Sequence, residues 1–234
     1  MIRILVLVAV FFSGAALMSL EMAGFRLVQP EFGSNIVVWG SLISVFLGGL
    51  ALGAFLGGRW ADYRPALWKL GVILACGGAV ALAIPAYSDA VLDWTFPGEG
   101  APLPTEWNAS GEGARAAEGT LRVYMPPDLR WPTLWAGILL FLVPSVFLGM
   151  TSPYAAKLLI RALPRVGRGV GNVSAISTLG AIVGTLGTAF YLVAWVGTRW
   201  LLASNGLVLL CFGAMLGLAD LAARRGRDSN PRSR

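Results

Sequence analysis

Six long apolar runs constrain this chain more than anything else in it. They extend approximately over Ile4–Val28, Ile36–Gly58, Leu67–Tyr87, Leu134–Met150, Val170–Val196 and Leu201–Ala222. A helix rises ~1.5 Å per residue and bilayer hydrocarbon is ~30 Å thick, so ~17–25 apolar residues make one crossing. A soluble domain carries roughly 25% charged residues, because it needs a polar coat. Here 13% are charged, 56% are hydrophobic, and the mean hydropathy is +0.71. The expected fold class is all-α: a polytopic membrane bundle of about six spans over residues 1–222, followed by a basic tail over 223–234. The first run stays apolar past Met18 to Val28, longer than a ~7–15-residue signal-peptide core, and reads as a retained helix.

Charge placement suggests the orientation. Arg3, Arg59, Arg64, Lys69, Lys157, Arg161, Arg165 and Arg168 fall on one side, with Arg224, Arg225, Arg227, Arg232 and Arg234 of the tail. Most acids, including Asp89, Asp93, Glu99, Glu106, Glu112, Glu118 and Asp128, fall in one long loop, residues 88–132. Lysine and arginine accumulate on the cytoplasmic side, so both termini are expected inside, at a cell's inner (plasma) membrane. The loop also holds the tripeptide Asn108-Ala109-Ser110, which fits a glycosylation sequon but carries little weight alone.

The loop divides the spans three and three, so the two halves run in opposite directions, as in transporters built from inverted repeats. Laying Gly171 on Gly40 brings Gly180 and Gly184 onto Gly49 and Gly53. Lipid gives helices no reason to bury apolar surface against each other, so they associate through close backbone approach, which small residues permit. These four glycines are expected to serve helix packing inside the bundle, with a homo-oligomer contact as the other reading.

Chemistry is sparse. There is no His, and Cys76 and Cys211 both sit in apolar runs, where they read as small buried hydrophobes. No metal cluster, nucleophile set or phosphate loop is visible, so no cofactor, metal or nucleic acid is expected. Glu21 is the only acid well inside a span. A charge at bilayer depth costs ~2.5–3.5 kcal/mol or more, so it meets a partner group, a water-filled cavity or a cationic ligand; Glu21, Arg26, Asn172, Ser177 and Thr178 are the candidates for binding a ligand or a proton. Arg26, five residues on, is turned by ~140° and does not share its face. At the start of the fifth span, Ser177 and Thr178 can bond back to their own helix, whereas Asn172 reads as facing a polar cavity.

Two basic segments complete the inventory. Gly57-Gly58-Arg59-Trp60-Ala61-Asp62 reads as an inner turn or a pivot, its glycines bending the chain and Asp62 pairing with Arg59 or Arg64. After Gly149-Met150-Thr151, Ser152 is expected to cap a new helix with Pro153 at its first position. Lys157, Arg161, Arg165 and Arg168 then form a cationic stripe for anionic lipid or a cytoplasmic partner.

Together these motifs form a pattern. Ser13-Gly14-Ala15-Ala16-Leu17-Met18-Ser19-Leu20-Glu21-Met22, Arg26, Phe32-Gly33-Ser34, Trp39, Leu52-Gly53 and Gly57-Gly58-Arg59-Trp60-Ala61-Asp62 resemble the membrane region of bacterial fused transporter-like/spermidine synthase proteins. Phe147-Leu148-Gly149-Met150-Thr151-Ser152-Pro153, Val170-Gly171, Ser177-Thr178-Leu179-Gly180-Ala181-Ile182-Val183-Gly184-Thr185 and Gly197-Thr198-Arg199 look like that family's later motifs. The inner turn also looks like a short form of the motif between spans two and three of major facilitator transporters. The resemblance implies a partnership with a cytoplasmic aminopropyltransferase-like domain, whose nucleotide loop and polyamine-binding acids are not in this sequence. The expectation is a membrane subunit, not an enzyme by itself, serving a separate synthase-like protein. The alternative is a small transporter for a polyamine or another cationic solute.

Overall fold

The computed structural model describes residues 2–63, 65–95, 130–160 and 166–228. They form six helices, each long and apolar enough to cross a membrane, and the chain is a multi-pass all-α membrane protein. The helices are α1 (Ile2–Phe32), α2 (Ile36–Asp62), α3 (Leu67–Thr95), α4 (Arg130–Ile160), α5 (Val166–Gly187, continued over Thr188–Leu192 and Val193–Trp195) and α6 (Thr198–Asp228). Among the described residues there is no strand.

The helix ends differ from the sequence reading in one direction. Lipid cannot satisfy backbone N–H and C=O groups, so a helix gains by continuing until it reaches water. α3 runs past Tyr87 to Thr95 and carries Val91, Leu92 and Trp94 of the expected loop. α6 runs to Asp228, so the first half of the basic tail is helical. Residues 130–132 of the loop open α4, and residues 96–129, with Asn108, lie outside the described residues.

Two internal breaks expected from sequence are absent. Gly57 and Gly58 do not end α2, which continues through Arg59 to Asp62. Ser152 caps no new helix, because α4 passes through Pro153 to Ile160. A proline inside a helix costs on the order of 3 kcal/mol. Here packing on α2 and the anchored ring of Tyr154 hold the helix together across it. Among the described residues, the turn between α1 and α2 is the one place where a glycine is required by its backbone angle. Gly33 has φ +74°, and Asn35 then caps α2, its Oδ1 accepting from the Val37 and Val38 N–H groups at 3.1 and 2.9 Å.

The helices associate in three pairs: α1 with α5, α2 with α4, and α3 with α6. Exchanging α1 with α4, α2 with α5 and α3 with α6 maps this set of pairs onto itself, as an inverted 3+3 repeat requires. The register agrees. A Cβ built on Gly49, Gly53 or Gly57 of α2 would crowd Leu142, Val146 or Met150 of α4 in turn. On the other side, Gly180 and Gly184 of α5 crowd Phe11 and Ala15 of α1, and Thr188 hydrogen-bonds Ser19. The shift that lays Gly171 on Gly40 carries the first three rungs onto the second three. Both pairs are parallel. The α3–α6 pair is antiparallel and reciprocal: Gly71 meets Gly213 and Gly78 meets Gly206, each 2.6–2.7 Å from the other's carbonyl oxygen at the built Cβ.

α1 and α4 meet at the centre. Phe141, on a π-helical turn at Ile138–Leu142, reaches Gly24 of α1 and stacks on Phe46 of α2 at 5.4 Å. That turn lies just ahead of Pro144, which has no N–H to donate. One end of the bundle carries Arg59, Lys69 and Lys157 and is called the basic end below; the opposite one is the far end.

Candidate functional site

Glu21 is half-buried and, among the described residues, has no ion pair or hydrogen bond. Helix geometry fixes where it points. It lies seven residues after Gly14, a rotation within ~20° of whole turns, and Gly14 backs onto the Ser177 carbonyl of α5. One turn further, Phe25 stacks on Trp39 of α2 at 3.9 Å. Glu21 therefore occupies the face of α1 between α5 and α2, two helices with no substantial direct packing. The repeat places Ser152 of α4 at the equivalent position. Ser152 Oγ lies 3.4 Å from Ser177 Oγ, on the same side of the bundle.

The other residues singled out from sequence divide around this point. Thr178 donates to its own helix, Oγ1 to the Ser174 carbonyl at 2.9 Å. Asn172 is exposed and rotated by ~140° from Ser177, so it does not join the Glu21 face. Arg26 is exposed at the far end and lines a 530 Å³ recess with Glu31, Asp89 and Arg199. In that recess Arg199 donates to both oxygens of Asp89, at 2.6 and 2.8 Å.

At the basic end, pairings differ from expectation. Asp62 pairs with Lys157 of α4 at 2.5 Å, because the continuous α4 delivers Lys157 beside the last residue of α2. Arg59 lies over the Phe55 ring, 4.3 Å from its centroid. Gly57 gives close approach to Met150, while Gly58 has nothing within 4 Å of a built Cβ. The cationic stripe is divided: Lys157 belongs to α4 and Arg168 to α5, while Arg161 and Arg165 lie outside the described residues. Tyr154, fully buried, ties the end of α4 to the turn before α3. Its hydroxyl accepts from Ala66 N–H at 3.0 Å and donates to the Ala66 carbonyl at 3.2 Å. The cysteines are free and not deeply buried: Cys76 is half-buried and Cys211 exposed on α6.

Sequence reasoning missed one cluster at bilayer depth. Ser19 of α1 is buried, and its Oγ accepts from Thr188 Oγ1 of α5 at 2.8 Å and from Asn205 Nδ2 of α6 at 2.8 Å. Asn205 was visible as an amide inside the apolar run Leu201–Ala222, but Ser19, where the cluster converges, lies 186 residues before Asn205 and 169 before Thr188. The cluster borders a 410 Å³ recess.

Among the described residues no three His, Cys, Asp or Glu side chains come together as a metal site. No known protein family, curated protein or solved structure matches the chain.

Proposed function

We propose that this membrane protein binds and translocates a small cationic solute, with the Glu21 carboxylate as its counter-charge. The observation that carries the reading is Glu21 itself: a half-buried acid within a span, without a protein partner among the described residues. Holding a carboxylate at that depth costs on the order of 2.5–3.5 kcal/mol. A cation visiting the site offsets that cost. The inverted pairing of the helices supports the reading, since such repeats underlie many alternating-access carriers. Proteoliposomes loaded through this protein with tritiated spermidine, and separately with tritiated tetraethylammonium, test it. Uptake of at least one above protein-free vesicles is expected, falling about tenfold or more in Glu21→Gln. No uptake of either, or equal uptake by the variant, refutes it.

A second reading rests on the basic end, where Arg59, Lys157, Arg224 and Arg225 are all exposed. There the chain serves as the membrane subunit of a cytoplasmic synthase-like enzyme. Mild-detergent purification from cells producing both is expected to recover the pair. Recovery of the membrane chain alone, under conditions that keep known complexes intact, counts against it.

A further inference from the structure

The recess beside Ser19 lies on the opposite side of α1 from Glu21, since two residues turn a helix by ~200°. It is bounded by α1, α5 and α6, holds 410 Å³, and falls in the ~300–1,000 Å³ range of small-molecule sites. Its wall is apolar, including Phe12, Val183 and Val208, and no charged residue lines it. Val183 and Tyr191 are 54% and 70% exposed on the outside of the bundle, so the recess opens toward the lipid rather than toward either end.

The polar edge of the recess has capacity left over. The Leu201 carbonyl can only accept, so it fixes the Asn205 amide with Nδ2 toward it at 2.9 Å. Nδ2 also donates to Ser19, which leaves Oδ1 without a partner among the described residues. Ser19 and Thr188 have two hydroxyl protons and one bond between them, so one proton is also left over. The edge thus offers one acceptor and one donor side by side.

The fold does not need this cluster. The repeat puts Met150 where Ser19 stands and Gly57 where Thr188 stands, and that rung is closed by packing, with a Cβ on Gly57 only 2.7 Å from the Met150 Cα. α5 is also locally rewound here. Thr188 opens a π-helical turn, its carbonyl accepting from the Val193 N–H, and such turns concentrate at functional sites.

We propose that this recess binds a neutral, hydroxyl-bearing molecule from the lipid phase, such as a long-chain or isoprenoid alcohol. The hydroxyl donates to Asn205 Oδ1 and accepts the spare Ser19/Thr188 proton, while the apolar body fills the recess. The test compares tritiated farnesol with competing unlabelled farnesol and farnesyl methyl ether on the purified full chain in detergent micelles. The ether keeps the apolar body and the acceptor but cannot donate. Saturable binding is expected, with the ether about tenfold weaker, as one lost hydrogen bond of ordinary strength predicts. Asn205→Leu is expected to erase the difference, and Glu21→Gln to leave it intact. Equal competition by alcohol and ether on the unmodified protein overturns the proposal, whether or not the Asn205 variant folds. So does a farnesol preference that survives in a folded Asn205→Leu variant.

Discussion

The glycines of α2 provide a controlled test of how the bundle is held together. Six of them lie on one helix and differ in what an added methyl group meets. A Cβ on Gly53 would run into the Val146 carbonyl oxygen and lie 2.9 Å from the Gly149 Cα; one on Gly57 would lie 2.7 Å from the Met150 Cα. One on Gly48 or Gly58 meets nothing within 4 Å. Carbon atoms prefer ~3.5–4.0 Å and the Val146 oxygen lies nearer still, so Gly53→Ala forces α2 and α4 apart by about 1 Å, a gap that forfeits about half of each contact along the seam. With on the order of 20 atom pairs at ~0.1–0.2 kcal/mol each, the loss is ~1–2 kcal/mol, within the ~1–3 kcal/mol of measured overpacking. The unfolding equilibrium should move by roughly fivefold to thirtyfold. Gly48→Ala and Gly58→Ala should stay within ~0.5 kcal/mol of the parent. Titration of mixed micelles with SDS, followed by tryptophan fluorescence, measures all of them. Equal shifts for Gly48→Ala and Gly53→Ala would refute the close-approach argument and return the effect to helix propensity alone.

Two further outcomes follow from the basic end. Tyr154→Phe removes both bonds to Ala66 and leaves its N–H and carbonyl without that partner; the same SDS titration should report a loss of ~1–3 kcal/mol. Asp62→Asn breaks the ion pair to Lys157, whose side chains are 67% and 45% exposed; the expected loss is below ~1 kcal/mol and shrinks with added salt.

Six crossings were legible because the constraint behind them is local: hydrocarbon demands an unbroken apolar run, and each run is contiguous in sequence. The ends were less legible. Gly57-Gly58 reads as a stop by composition, yet Gly57 is there for Met150, a contact no local rule reveals. Ser152-Pro153 reads as a cap and first turn, yet the helix continues because its neighbours hold it. Gly40 and Gly53 look alike in sequence, and only the second is pressed against another helix. The Ser19 cluster was least legible of all, since it joins three helices across separations of 169 and 186 residues.

The repeat supplies a way to separate packing from chemistry. Positions that the fold needs should be filled alike in both halves, because the same rung has the same geometry to satisfy. Gly49 and Gly180, and Gly53 and Gly184, obey this, and each sits where its partner helix comes closest. Glu21 against Ser152, Ser19 against Met150 and Thr188 against Gly57 do not. At these three positions one half carries a polar or ionisable group at bilayer depth where the other makes do with a smaller or less polar one. Maintaining such a group in lipid is costly, and the counterpart half demonstrates that packing alone does not require it. The two sides of α1 thus carry the asymmetry of the bundle: on one, a carboxylate without a partner among the described residues, and on the other a half-satisfied hydroxyl–amide cluster facing α6.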